Sequence, residues 1–318
     1  MIWIVGALLL LVAASLWMTQ PVFFVRKTAD VGPAPDPARL ERRVRTLVQD
    51  YFPRDGGHPQ NLARAALWIA GELRLAGAAV LEQPFDTAGD RYSNVVASFG
   101  PPTRDVVVVG AHYDAAGEMP GADDNASGVA SLLELADLLS GVPFARRVEL
   151  VAFANEEAPY FATPGMGSEV YARSLDESHR AVRGMICLEM LGCFNDDPGS
   201  QKLPFVVLHL FYPSKGDFIA VVGSLGRPGI VRRVKRAMLG ASDLPVYSID
   251  APRWVRGVDL SDHSTFWRRG DPAVMITDTA FYRNPRYHTE HDTPDTLDYE
   301  RMAKVVAGTR RAVLDLAR

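Results

Sequence analysis

Two hydrophobic periods alternate along the chain between residues 40 and 316. Leu40, Val44, Leu47 and Val48 recur at helical spacing and stop before Pro53. Leu62, Ala65, Ala66, Ile69 and Leu73 mark a second helix over 59–75, ended by Gly77. Residues 79–85 and 92–99 read as strands joined through Gly89 and Asp90. The run at 106–111, Val-Val-Val-Val-Gly-Ala, has no polar face, which is the pattern of a strand covered on both sides. Further strands are expected at 148–154, 184–190, 205–211, 246–249 and 273–277. Helices are expected at 125–139, 166–174, 216–223, 230–239 and 297–316, the last capped by Thr296. Strands alternating with helices predict an α/β fold: a mostly parallel, mixed central sheet with helices on both faces.

The N-terminus breaks this pattern. Ile2 to Met18 carries no charge, and its length is near the lower limit of the ~17–25 residues that span a bilayer. Trp3 and Trp17 stand where interfacial anchors would. No Lys or Arg precedes the run, which weakens a secretory-signal reading. The expected organisation is therefore an anchor or signal at 1–25, a Pro-rich linker at 26–38, and one folded domain at 39–318. The chain would be held to a membrane by its N-terminal helix, or exported; Arg26 and Lys27 are too few to set the orientation.

Composition narrows the function. Of 318 residues 47% are hydrophobic, enough for a large core, and the formal charge of −4 gives nucleic acid nothing to hold. Cys187 and Cys193 form no metal-knuckle spacing and read as buried thiols or as one pair.

The chemistry lies at the ends of the apolar runs, where a parallel sheet collects its functional groups. His112 follows the Val-rich strand, and Asp114 two residues on can accept a hydrogen bond from its second ring nitrogen. Asp123, Asp124 and Asn125 precede a helix; one such residue would suffice as a cap, and three in series concentrate negative charge that a cation relieves. Gly121 and Gly128 allow tight backbone paths around them. Glu156 and Glu157 end another strand and point in different directions, so one can ligate while the other handles a proton. Glu189 sits inside an otherwise apolar strand, a costly place for a carboxylate unless it is paired or coordinated. His288 lies in a polar loop, with His291 and His263 as competing ligands. Carboxylates with imidazoles suit zinc or a similar divalent ion.

In order, these pieces (His-x-Asp, Gly-Ala-Asp-Asp-Asn-Ala-Ser-Gly, Asn-Glu-Glu, Leu-Glu-Met-Leu-Gly, Asp-His-x-x-Phe, Tyr-His-Thr-x-x-Asp-Thr-Pro-Asp) resemble the bacterial leucyl aminopeptidase type of di-zinc metallopeptidase. Glutaminyl cyclases and glutamate carboxypeptidases share that zinc-exopeptidase (phosphorylase/hydrolase-like) fold. The resemblance covers residues 40–318. It implies two zinc ions bridged by Asp124, with His112 and Glu189 completing one site and Glu157 and His288 the other. It further implies Glu156 as general base, Asp114 as the partner of His112, His263 as a neighbour that does not ligate, and a cis Asp124–Asn125 peptide. Residues 165–168 and 194–204 would wall the pocket. Many members carry Asp where this chain has Glu189. The implied activity is removal of N-terminal residues from peptides. A glutaminyl cyclase, a carboxypeptidase and a metal-free membrane-anchored binding protein are the alternatives, and oligomeric state is left open.

Overall fold

The computed structural model describes residues 2–22, 25 and 32–318, with the backbone alone at 2–5 and 7–11. One eight-stranded sheet organises the molecule, in the order β1-β2-β4-β3-β5-β8-β6-β7. The strands are β1 (Ala79–Thr87), β2 (Asp90–Phe99), β3 (Asp105–His112), β4 (Arg147–Phe153), β5 (Ala181–Glu189), β6 (Ile219–Ser224), β7 (Val246–Ala251) and β8 (Ala273–Thr277). Pairing is parallel for β4–β3, β3–β5, β5–β8 and β6–β7, and antiparallel for β1–β2, β2–β4 and β8–β6. The sheet is thus mixed, with a parallel centre.

Alternation along β3 shows why its run is wholly apolar. Val107, Val109 and Ala111 face a core shared with α2 (Pro37–Asp50), α3 (Pro59–Leu75), α4 (Gly128–Leu139), α6 (Pro228–Leu239) and α8 (Tyr299–Leu316). Val106 and Val108 face a second core with Tyr171 and Leu175 of α5 (Gly167–Glu177) and Phe266 of α7 (His263–Arg268). A strand covered on both faces needs no polar side. A buried charge cluster locks α2 to α4: Glu134, fully buried, meets Arg39 at 2.6 Å and Arg43 at 3.0 Å. Removing either arginine would leave that carboxylate short of a partner, the costly way to break such a pair.

The structure departs from expectation at several elements. Residues 205–211 form a short 3-10 turn, Val206–Leu210, and no strand. The run is apolar enough for a strand but has no sheet partner, and Val206 is 87% exposed. Residues 216–223 were expected to be helical, yet 219–224 form β6, inserted antiparallel to β8; its continuous β-branched and small run is a two-sided buried strand. The helix expected from 125 starts at Gly128, and the last helix is capped by Asp298, whose carboxylate accepts the Arg301 N–H, and not by Thr296. Both cysteines are free and buried.

The expected N-terminal anchor falls largely on side chains outside the described residues, and so do residues 26–31 of the linker. The backbone of 2–19 is helical, as α1 (Ile2–Thr19). Among the described residues no helix is long and apolar enough to cross a membrane, so the anchor gains no support. The far end of α1 is pinned to the sheet edge: the Thr19 carbonyl accepts from Ser248 Oγ on β7 at 2.7 Å and from Lys235 Nζ on α6 at 3.0 Å.

Candidate metal centre

His112 is the last residue of β3, Glu189 the last of β5, and Asn155 to Glu157 follow β4. The carboxyl ends of three neighbouring parallel strands therefore deliver three donors to one place. The fourth arrives on the turn Ala122–Ser127, where Asp124 (φ −104°, ψ 91°) and Asn125 (φ −131°, ψ 41°) leave helical geometry and the Asp124–Asn125 peptide is cis. The fifth, His288, lies in the loop before α8.

The turn is held from several sides. The Asp292 carboxylate accepts the N–H of Asp123 at 3.0 Å and of Asp124 at 3.1 Å. Asn125 donates to Leu188 O at 2.8 Å and accepts the N–H of Gly128 and of Met190. Arg54, fully buried, donates to the carbonyls of Tyr113, Pro120 and Gly121. Gly121 (φ 58°) has no alternative, because a Cβ there would collide with the Asp124 carbonyl.

The two oxygens of Asp124 face two different clusters. Oδ1 lies 3.3 Å from His112 Nε2, and the same nitrogen is 3.5 Å from Glu189 Oε2. Oδ2 lies 3.0 Å from His288 Nε2, which is also 3.0 Å from Glu157 Oε1. Within each cluster the three donor atoms lie within 4.8 Å of one another. Nδ1 of His112 faces Asp114, 3.2 Å from its carbonyl and 3.4 Å from its carboxylate. A proton on Nδ1 leaves the Nε2 lone pair aimed at the cluster. Asp114 also fixes the glutamate loop, because its carboxylate accepts the N–H of Glu156 at 3.1 Å and of Glu157 at 2.9 Å. Glu156 Oε2 stops 3.9 Å from His112 Nε2, outside either triplet.

Burial and crowding set the electrostatics. Burial raises Glu156 well above the ordinary carboxylate range, against the pull of His112 and with the help of Glu157 and Glu189. Burial, with Asp124, lifts Glu157 to about 7. Burial would also raise Asp124, but hydrogen bonds from His112 and His288 hold it below its usual value. Burial would lower His288, and its bonds to Asp124 and Glu157 instead take it to about 10. Four carboxyl groups crowd two imidazoles, an imbalance of acidic over basic groups that the chain alone meets by holding protons more tightly on both. That imbalance, with nitrogen and hard oxygen donors and no thiolate, fits a zinc-like cation.

The competing ligands are excluded. His291 belongs to neither cluster and its side chain is 76% exposed. His263 is buried, bonds the Val258 carbonyl through Nε2 at 2.8 Å and stacks edge-on against Trp267. Glu189 takes no arginine; Ser261 Oγ donates to it at 2.6 Å. A further acid group, Asp123 with Asp278 and Cys193, is occupied by the fold: Asp123 accepts from Gly192 N–H and Asn284, and Asp278 from the N–H of Cys193 and Ala280. Asp292 and Arg54 were not foreseen. The signal for Asp292 was present in its loop, but nothing local pairs it with residues 123 and 124.

Beside Glu189 and Met190 opens an apolar cavity of about 120 Å³, walled by residues including Leu208, Phe218, Tyr247, Val255, Met275 and Phe281. Of the expected walls only residues 201–204 contribute. Residues 165–168 do not line it, because Gly167 packs onto the Ala154 carbonyl and Asn94 beneath the sheet end.

The family model described as Peptidase family M28 matches residues 94–313. The chain belongs to peptidase family M28. This M28 chain is 46% identical over 280 residues to YfbL of Escherichia coli, a protein described as uncharacterized, with 86% of each chain covered. Its fold is that of a zinc aminopeptidase from Bacillus subtilis (TM-score 0.70, 16% identity, 88% of this chain and 94% of that one). It is equally that of a glutaminyl cyclase from Fimbriiglobus ruber (TM-score 0.69, 24% identity, 94% and 99%). Family membership supports a hydrolase of the peptidase type acting on a peptide substrate, and the His, Asp and Glu clusters fit zinc.

Proposed function

We propose that this M28 chain is an aminopeptidase that takes two zinc ions, one with His112, Asp124 and Glu189 and one with Asp124, Glu157 and His288. The observation that carries the reading is the division of Asp124 between two complete donor sets. Zinc bound there would supply Lewis acidity, lowering the pKa of a water and polarising the scissile carbonyl.

The chain's own residues do the rest. Glu156 is the general base: its carboxylate, buried and made more basic than an ordinary one, takes a proton from the attacking water and hands it to the leaving amine as the C–N bond breaks. Asp114 holds the tautomer of His112 and the backbone of Glu156 and Glu157 together. The cavity next to Glu189 receives the side chain of the N-terminal residue, and its apolar walls favour large aliphatic or aromatic ones.

A substrate panel on zinc-replete and chelated protein tests this. Leucine anilide and free-amine peptides should turn over, N-acetylated ones should not, and chelation followed by zinc should abolish and restore the rate. Cyclisation of N-terminal Gln peptides to pyroglutamyl peptides with release of ammonia, or trimming of blocked peptides from the carboxyl end, would overturn the assignment.

A further inference from the structure

We propose that the mouth of the apolar cavity is a docking surface for an anionic lipid bilayer. The segment 201–212 turns Leu203, Pro204, Leu208 and Tyr212 inward to line the cavity. The same segment turns Val206, Val207 and Leu210 outward, 87%, 59% and 78% exposed. Phe205 and Trp254, 46% and 77% exposed, meet edge to face at 6.4 Å and tie this turn to the 252–260 loop. The exposed large apolar side chains include Phe205, Val206, Val207, Leu210 and Phe211 on this one turn, with Trp254 and Leu260 on the 252–260 loop, a concentration that marks an interaction site.

Charge selects the partner. Segments 201–217 and 252–260 carry Lys202, Lys215, Arg253 and Arg256 against Asp217 and Asp259, with Arg253 and Asp259 paired at 3.6 Å, and the adjoining 195–200 segment adds Asp197 and Asp196, the latter paired with Arg301 at 2.8 Å. With those two pairs set aside, Lys202, Lys215 and Arg256 stand against Asp197 and Asp217, a slight positive balance on a chain of net charge −4. Apolar and aromatic side chains ringed by Lys and Arg are the composition of a surface that beds into the headgroup layer of an anionic membrane. A protein partner matched to the apolar centre alone would not require the basic rim.

The N-terminal helix leaves the domain at the same place. Ser248 joins the two: its hydroxyl donates to the Thr19 carbonyl at the end of α1, and its own carbonyl accepts the Tyr212 hydroxyl at 2.7 Å. Trp17, 50% exposed, lies within a turn of that junction. The cavity would then open at the bilayer surface, drawing substrates that partition there. This inference goes beyond the peptidase reading and does not depend on it, because binding is read without substrate.

The test uses the full chain with an environment-sensitive fluorophore on Val206→Cys; Cys187 and Cys193 are buried. Vesicles of phosphatidylcholine with about one-third phosphatidylglycerol should raise its emission about threefold or more, with a blue shift, and pure phosphatidylcholine should do far less. The same label on Leu75→Cys, at the opposite edge of the sheet, should stay unchanged. A Val207→Cys chain carrying Leu210→Ser and Trp254→Ser as well should lose about half or more of the gain seen for Val207→Cys alone. An unchanged emission at residue 206 with vesicles, or a gain that survives Leu210→Ser and Trp254→Ser, overturns the proposal. A gain that follows protein concentration without lipid overturns it in favour of contact between two copies.

Discussion

The metal centre and the apolar cavity lie on either side of Glu189 and are built on opposite terms. At the centre most groups are held by a further buried one: Asp124 by Asp292, His112, Glu156 and Glu157 by Asp114, Glu189 by Ser261, while His288 is held by the cluster itself. The cavity is backed by β6, β7 and β8 and closed on its outer side by segments with few such restraints, the 206–210 turn and the 252–260 loop, whose outer faces meet solvent. Reaction geometry needs placement to a fraction of an ångström and is held by hydrogen-bonded networks on strand ends. Selection of a side chain needs only shape and dryness, and it sits on segments that can change without disturbing the sheet.

That contrast breaks most sharply at Glu156. Glu156→Gln keeps shape and neutralises the proton acceptor, so turnover should fall by ~10²–10⁴-fold while zinc content by elemental analysis stays at the parent level. Loss of zinc alongside activity would move Glu156 from proton transfer to ligation. Asp114→Asn tests the network that supports the donors. It removes the charge facing His112 Nδ1 and weakens two N–H acceptors at once. Zinc affinity measured by competing chelator, or activity, should drop ~10–100-fold, with the melting temperature little changed; an affinity equal to the parent's would leave Asp114 a loop staple only.

On the cavity side the expected change is one of preference. Ala220 on β6 lines the cavity, and Ala220→Leu shortens it by several methyl groups. The ratio of kcat/KM for N-terminal Leu over N-terminal Ala should fall by about tenfold, within the 10–200-fold that methylene-scale changes produce in an apolar pocket, with kcat for Ala intact. A uniform loss on both substrates would mean that the variant disturbs the centre and that the two regions are not separable.

How much was legible beforehand follows the same division. The donors stood out because a carboxylate inside Met-Ile-Cys-Leu-Glu-Met-Leu, or three acids and amides before a helix, is too costly to be structural by chance. The parallel centre of the sheet was legible because two-sided burial leaves runs with no polar face. The cavity side was not. Phe218, Tyr247 and Met275 are ordinary core residues by type, and only the chain path shows that they border a void. The two misassigned elements, 205–211 and 216–223, both lie there. An apolar run says that a segment is buried or sticky, not which partner it has: residues 219–224 found β8, and Val206–Leu210 found none. Arg54 and Asp292 were missed for a related reason, since each acts through backbone atoms far along the chain.

The smallest expected effect lies at the outer edge of the cavity side, at Asp250 on β7. The residue is 1% exposed, and neither carboxylate oxygen has a well-formed hydrogen bond. Burial raises its pKa from 3.8 to about 7, with Gln20 and Arg232 offsetting only part of the effect. A raised carboxylate pKa means that the folded state holds the proton more tightly than the unfolded one. Well below pH 4 both states are protonated and the ionisation penalty of Asp250 vanishes. From about pH 4 to 7 the unfolded chain ionises and the folded one resists, so stability falls as pH rises, and above 7 the penalty is constant. Asp250→Asn should therefore gain about 1–2 kcal/mol on the parent between pH 4 and pH 8, after discounting for solvent screening. Denaturant melts of the two proteins at both pH values read the difference directly. A gap that is the same at pH 4 and pH 8 would show that this edge is as well satisfied as the metal centre, and the division drawn between the two regions would fail at its outermost point.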